Sequence, residues 1–208
     1  MTKLYLIRHG QTLWNKISKY QGHSDIALSD TGIAQAQKLG HYLFEKGIKL
    51  QAVYASDLSR AYDTAKLIAE PYNLPISTNS ELREMNFGVW EGLTFKEIKN
   101  QYSDLAEIWL TAPETLEIPK GESFAKVKER AINTLYGILK NHANENIAVV
   151  SHGGTLRTII CSLLDMPLSK MWQFKLDNTA LTIFNIYNDK PILSLFNFTA
   201  HLDEINNL

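Results

Sequence analysis

The chain has 208 residues, a formal net charge of -1, and 45% hydrophobic and 21% charged side chains. That balance suits one sizeable core and gives no general attraction to nucleic acid or to an acidic membrane surface, so any anion site must be a local cluster. The single cysteine, Cys161, excludes an intrachain disulfide. Together with the lack of a signal-peptide core or an apolar run of bilayer length, this sets a cytoplasmic location as the expectation.

Taken in order, residues 4–7 are an apolar run that predicts a buried strand. It feeds a turn holding Arg8, His9, Gly10, Thr12 and Asn15, at the strand end where open α/β sheets place ligands. A polar loop is expected over residues 16–25. Ser29 and Thr31 both suit a helix N-cap. Ile33, Ala36, Leu39, Gly40 and Leu43 follow at helical spacing, and Gly47 is a stop signal. Residues 52–55 read as a strand, and a helix over 59–70 stops at Pro71. This β-α-β-α order predicts a largely parallel sheet covered by helices.

The middle of the chain is less regular. Helical patterns occupy residues 95–102 and 105–110, and Pro113, Pro119 and Gly121 mark a loop. Residues 84–122 are read as a cap-like insertion within a single domain spanning residues 1–208. A long helix is expected over 123–141, with Phe124, Val127, Ala131, Leu135 and Ile138 on one face. A strand over 147–151 and a helix over 155–164 repeat the earlier pattern. Residues 181–187 and 192–198 then read as a hairpin around Asn188-Asp189-Lys190, and the tail, 201–208, is expected to fray. The fold class is α/β: a three-layer α/β/α sandwich with a mostly parallel central sheet, a terminal hairpin and the cap-like insertion.

The chemistry concentrates where strands run into His-Gly pairs. Arg8-His9-Gly10 has a distant counterpart in Ser151-His152-Gly153-Gly154, and two such units can set two imidazoles side by side at one sheet edge. Arg8 offers a planar fork of donors to a phosphate, and a His9 ring nitrogen can act as a nucleophile. Gly10 permits close backbone approach. Arg60, near the start of a helix, adds a cation where the helix N-terminus already favours an anion. A metal site is not expected, because arginine near each histidine would repel a cation and no Asp/His cluster at ligand spacing accompanies them. Gly153-Gly154-Thr155 lacks the Gly-Lys-Ser/Thr ending of a Walker loop. Cys161, among Ile159, Ile160 and Leu164, reads as a core thiol. His23, His41, His142 and His201 read as structural or surface residues.

Arg8-His9-Gly10, residues 56–60, Glu84 ahead of Trp90-Glu91-Gly92, and Ser151-His152-Gly153 stand in the order found in one family. Over residues 3 to about 187 the chain resembles the histidine phosphatase superfamily, in its phosphoglycerate-mutase-like branch. The resemblance implies that His9 forms a phosphohistidine and that Arg8, Arg60 and His152 clamp the phosphoryl group, helped by the backbone N–H of Gly153. It implies that Glu84 protonates the leaving oxygen and then activates water. The Leu-Arg-Glu pattern favours Glu84 over Glu81, and apolar Phe87 or Trp90 is expected beside its carboxyl. Asn15, Gln21 and Thr12 are further candidate substrate contacts. The implied partner is a small-molecule phosphomonoester, with no metal or other cofactor, no nucleic acid and no membrane. A homodimer is left open.

Mutases of that branch resemble one another in a longer middle insertion with paired arginines. Here no arginine lies between Arg83 and Arg130, and Lys120 is the one cation in the presumed cap loop. The mutases usually carry Asn where this chain has Gly154. The expectation is therefore a phosphomonoesterase for a small, partly apolar metabolite, of the broad-specificity or α-ribazole-5′-phosphate phosphatase type, with phosphoserine phosphatases also similar. The Asp177-Asn178-Thr179-Ala180 segment is compatible with the α-ribazole type. Trp14, Phe87 and Trp109 are candidate pocket walls, with core packing the rival role for Trp109. The alternatives are a phosphoglycerate mutase and a non-catalytic phosphate-binding module.

Overall fold

Alternation along the first strand builds the layers. In the computed structural model, which describes residues 1–202, strand β1 (Thr2–Arg8) is buried along most of its length. Leu4 and Leu6 face one apolar cluster, while Tyr5 and Ile7 face another on the opposite side. Successive strand side chains point to opposite faces, so one short run of sequence seeds two cores. Helices therefore cover both sides of the sheet, giving the expected three layers.

The helices and strands follow in chain order as α1 (Leu13–Lys16), α2 (Asp30–Glu45), β2 (Ala52–Ala55), α3 (Ser59–Ala69), β3 (Ile76–Thr78), α4 (Phe95–Gln101), α5 (Ser103–Thr111), α6 (Phe124–Asn141), β4 (Asn146–Ser151), α7 (Gly153–Leu163), β5 (Leu181–Tyr187) and β6 (Lys190–Phe198). The sheet order is β3-β2-β4-β1-β5-β6. Strands β3, β2, β4 and β1 pair in parallel, whereas β5 runs antiparallel to β1 and β6. On one face, Leu4 and Leu6 share a cluster with Ala131 and Leu135 of α6 and Ile159 and Ile160 of α7. On the other, Tyr5 and Ile7 meet Leu39 and Leu43 of α2 and Ala61, Ala65 and Ile68 of α3.

Most expected elements stand where their caps put them. Ser29, rather than Thr31, caps α2 by accepting from the Gly32 N–H, and Ser123 caps α6. Helix α3 gives way to a 3-10 turn, Glu70–Tyr72, that contains Pro71. Four corrections follow. Helix α7 begins at Gly153, two residues before the apolar pattern, because its first two glycines carry no side chain for a period to show. Strand β3 lies outside the expected elements: only Ile76 is half-buried, and Ser77 and Thr78 are exposed at the sheet edge. The turn expected after β1 closes as one turn of helix, α1, which takes in Lys16 from the expected loop and rests on a capping box between Thr12 and Asn15. Finally, His201 and Leu202 are buried in a 3-10 turn rather than frayed, while the rest of the predicted tail lies outside the described residues.

The hairpin is of the tightest kind. Asn188 and Asp189 both take positive φ, at 47° and 64°, and Tyr187 pairs with Lys190. That combination suits a two-residue type I′ connection. Residues 84–122 hold α4, α5 and short 3-10 turns around a third apolar cluster that includes Met85, Phe87, Trp90, Trp109 and Phe124. No helix of the described residues is long and apolar enough to cross a membrane.

Candidate active site

Register brings the two His-Gly units together. Arg8 stands opposite Ser151 in the β1–β4 ladder, so His9 and His152 leave the sheet edge side by side, with ring centroids 5.1 Å apart. The His9 backbone is tied on both sides. Its N–H donates to the Ser151 carbonyl at 3.0 Å, and its carbonyl accepts from Asn178 Nδ2 at 2.9 Å. The Gly10 N–H donates to Thr64 Oγ1 at 2.9 Å, and the Arg8 carbonyl accepts from the Thr179 N–H at 3.0 Å. Glycine is required at position 10, because a Cβ there would lie 2.5 Å from the Gly32 carbonyl oxygen.

The tautomer of His9 follows from its partner. Nδ1 lies 2.7 Å from the Gly10 carbonyl oxygen. A carbonyl only accepts, so Nδ1 carries the proton and the neutral ring keeps its lone pair on Nε2. Burial, and then the charges of Arg60 and Arg8, hold His9 well below the usual histidine range. His152 is lowered in the same way, by burial and then by Arg60.

Arg60 is fully buried. Its guanidinium is gripped by the carbonyls of Gly22 at 2.8 Å and Ser24 at 2.9 Å. Glu91 holds that gripping loop, accepting from the N–H groups of His23 and Ser24 and from the Ser24 hydroxyl. Arg8 donates to the Leu176 carbonyl at 2.7 Å. Burial, then neighbouring Arg157, pushes its guanidinium down to about 10, which leaves it charged at neutral pH. The Nε atoms of Arg8 and Arg60 and both ring nitrogens of His152 are buried without a hydrogen bond among the described residues.

Glu84 rests on the N-terminus of α7. Its carboxyl accepts from the Gly154, Thr155 and Met85 N–H groups, each at 3.0 Å, and from Thr155 Oγ1 at 3.3 Å. The carboxyl is thus held by donors rather than by the apolar rings of Phe87 or Trp90. Its backbone carbonyl accepts from His23 Nε2 and Arg130 Nη2, both at 3.0 Å. A Cβ at Gly154 would sit 2.7 Å from Glu84 Oε1, so any larger residue there would make this carboxyl shift. Glu81, the rival acid, is exposed.

A cavity of about 300 Å³ lies against these groups, with His152 fully buried beside His9 and outside the lining. Arg8, His9, Arg60, Glu84, Gly153 and Gly154 form its polar side, and Tyr20, Phe87, Trp109 and Trp172 its aromatic side; Asn15, Gln21 and Arg157 also border it. Burial pushes the Tyr20 hydroxyl up to about 12, so it stays a neutral donor. Residues 4–199 match the profile of the histidine phosphatase superfamily, branch 1.

The chain belongs to that family.

Among its relatives, phosphoserine phosphatase 1 of Hydrogenobacter thermophilus is 35% identical over 204 residues, covering 98% of this chain and 96% of that protein. Phosphoglycerate mutase-like protein 4 of Arabidopsis thaliana is 33% identical over 97% of this chain and 87% of its own length. A solved structure of a mutant phosphoserine phosphatase from Entamoeba histolytica, in complex with phosphoserine, superposes with a TM-score of 0.88 at 34% identity, covering 97% of this chain and 100% of that one. The α-ribazole phosphatase of Shigella flexneri gives 0.85 at 31% identity, covering 95% and 97%. The family match continues beyond residue 187, the expected end of the resemblance, into β6.

Not every candidate of this histidine phosphatase reaches the cavity. Thr12 is buried behind it: its hydroxyl donates to Gln21 Oε1 at 3.0 Å and accepts from the Asn15 N–H at 3.1 Å, closing the loop rather than facing a ligand. Trp14 is no pocket wall. It packs near Gly92, with the Lys19 ammonium 5.8 Å from its ring centre. Six cavity residues escaped the sequence reading: Ser18, Lys19, Tyr20, Gly22, Arg157 and Trp172. Arg157 carried a usable signal, since it lies four residues after Gly153 and so on the same helix face. Tyr20 and Trp172 sit in a loop and a 3-10 turn, where no period marks them. Cys161 is buried in the aromatic-rich cluster, as a core thiol would be. Among the described residues, no group of three or more His, Cys, Asp or Glu side chains is placed to hold a metal ion.

Proposed function

We propose that the chain is a phosphomonoesterase that works through a phosphohistidine on His9, without a metal or other cofactor, on a small phosphorylated metabolite. The placement of His9 carries this reading: a neutral, buried imidazole with its lone pair on Nε2, under the charges of Arg60 and Arg8 and beside a second imidazole. Nε2 attacks phosphorus in line with the ester oxygen. Arg8, Arg60 and His152, with the Gly153 N–H, take the phosphoryl oxygens as charge spreads over them. Glu84 gives its proton to the leaving oxygen, so the alcohol departs neutral. A water then attacks the phosphohistidine, Glu84 takes its proton, and phosphate leaves as His9 returns to the neutral ring. Asn15 and Gln21 border the substrate, and residues 84–122 act as the cap over its leaving group. The similarity to phosphoserine and α-ribazole phosphatases supports this class of substrate. We place the enzyme in the cytoplasm, where the buried Cys161 thiol stays reduced.

The mutase-like relative favours a second reading, in which the phosphoryl group returns to another oxygen of the substrate. One experiment separates the two. Phosphate release is measured in excess EDTA from phenyl phosphate, phosphoserine, α-ribazole 5′-phosphate and 3-phosphoglycerate, the last also followed for isomerisation. Release with a trapped acid-labile phosphoenzyme is the expected result. Isomerisation without release makes the chain a mutase. No turnover and no phosphoenzyme from any ester removes the enzyme reading.

A further inference from the structure

The chain has five arginines, and they fall into two classes. Arg83 and Arg130 lie away from the cavity, and each has a carboxylate: Asp57 at 2.6 Å and Glu122 at 2.9 Å. The three that border the cavity, Arg8, Arg60 and Arg157, make no ion pair among the described residues and bond only to backbone carbonyls. Glu84 is the one carboxyl in the lining, and its oxygens already accept from the start of α7. Glu84 and Asp177 act on Arg8 and Arg157, and Glu84, Asp25 and Glu91 on Arg60, only from beyond ion-pair distance. Buried cations without a directly paired carboxylate are costly, so such a cluster suits an anionic ligand. Arg8 and Arg60, flanking His9, suffice for the two charges of a phosphomonoester. Arg157 is then in excess.

Its position says what it is for. Nε donates to the Phe174 carbonyl at 3.0 Å and Nη1 to the Gly153 carbonyl at 3.1 Å, while Nη2 bonds to no described residue. The guanidinium lies over the ring of Trp172, 5.6 Å from its centre, and the Trp172 indole N–H donates to the Trp109 carbonyl at 2.7 Å. Arg157 is therefore fixed on the aromatic side of the cavity, where the leaving group extends when phosphorus is at His9. It is also near the phosphate end. A Cβ on Gly153 would lie 3.2 Å from Arg157 Nη1 and 3.6 Å from Arg8 Nε, so the two guanidinium groups converge on one spot. A short ligand with two anionic ends spans them.

We propose that Arg157 is a specificity-determining residue that receives a carboxylate on the leaving group, which makes the substrate class small phosphomonoesters bearing a carboxylate close to the ester carbon. The proposal rests on the phosphatase reading and narrows it: an apolar leaving group would occupy the aromatic wall and leave Arg157 unmatched.

The test compares kcat/KM within matched pairs: phosphoserine against phosphoethanolamine, and 3-phosphoglycerate against glycerol 3-phosphate. For the unmodified enzyme, the carboxylated member is expected to win by roughly 10- to 100-fold, the size of one charged hydrogen-bonded contact. Arg157→Met should bring each ratio down toward one, and Arg157→Lys should keep part of it. Equal rates within both pairs for the unmodified enzyme would overturn the proposal. So would an Arg157→Met variant that lowers both members of a pair by the same factor, which marks a phosphate-holding or structural role. If no ester yields a phosphoenzyme, the phosphatase reading fails separately. Calorimetric binding of each pair to the unmodified chain then reads the same preference, and equal affinities overturn the proposal.

Discussion

The two ends of the cavity are built differently. At the phosphate end, Arg8, His9 and His152 come from the ends of adjacent parallel strands, so one ladder register sets their spacing. Backbone groups then tie down what the register places: the Gly10 carbonyl turns His9, the Gly22 and Ser24 carbonyls hold Arg60, and the first N–H groups of α7 hold Glu84. At the leaving-group end, Tyr20, Phe87, Trp109 and Trp172 come from a loop, the 84–122 segment and a 3-10 turn, and they pack mainly on one another. On the proposed mechanism, chemistry rests on hydrogen-bonded register, and choice of substrate rests on the packed rings and the Arg157 guanidinium held over one of them. Substitutions at the first end should slow every ester, whereas those at the second should change the ranking of esters.

The hardest test of this division is His9→Ala. It should lower turnover of every ester by at least about 10⁴-fold, the order seen when a nucleophile is removed, with no phosphoenzyme in an acid quench and a cooperative melt retained. A variant still active on any ester breaks the assignment. Glu84→Gln comes next, with an expected loss of roughly 10²–10⁴-fold. That loss should be greater for alkyl than for aryl phosphates, because aryl leaving groups need less help from a proton. Equal losses for both would move the acid elsewhere.

Gly154→Asn probes the same end from its support. Its Cβ would intrude to within 2.7 Å of Glu84 Oε1, so the carboxyl must shift. A fall of about 10²-fold in kcat for alkyl esters is expected, and a wild-type rate would mean that Glu84 works from another position. Trp172→Leu belongs to the other end. It should change kcat/KM ratios between leaving groups by about tenfold while moving kcat for phenyl phosphate less; a uniform loss across esters would erase the distinction between the ends.

A further effect, on folding rather than turnover, is in stability against pH. His9 and His152 are held below the usual histidine range when folded. Below about pH 6.5 the unfolded chain binds protons that the folded rings refuse, so stability falls as pH falls, by up to about 1.4 kcal/mol per pH unit for each ring. Urea midpoints at pH 7 and 5.5 measure this, and His9→Ala should show a shallower dependence.

The phosphate end was far more legible than the leaving-group end, for physical reasons. Strand-His-Gly is a local pattern, and a parallel register aligns two such patterns without further information. Ser29, Ser123 and Pro71 likewise announce helix ends through chemistry within a few residues. Trp14 and Trp172 show the opposite case. Both are tryptophans in short helical turns, yet one packs near Gly92 and the other lines the cavity. Nothing within a few residues of either distinguishes them, because the choice depends on how α7 and the 84–122 segment pack. Strand β3 escaped because one half-buried isoleucine is too little pattern for a strand. Arg157 escaped because its signal, the four-residue spacing from Gly153, points to the site only once α7 is known to begin at that glycine.

The ties on the nucleophile loop also bear on motion. Hydrogen bonds from β4, α3 and the segment ahead of β5 converge on residues 8–10, and the close contact between Gly10 and Gly32 leaves no room for displacement. Such a segment has no low-cost local opening. In native-state deuterium exchange, the amides of His9 and Gly10 should therefore be released only with whole-chain unfolding, although they belong to a loop. On the proposed mechanism, the nucleophile is then already in place before a substrate arrives.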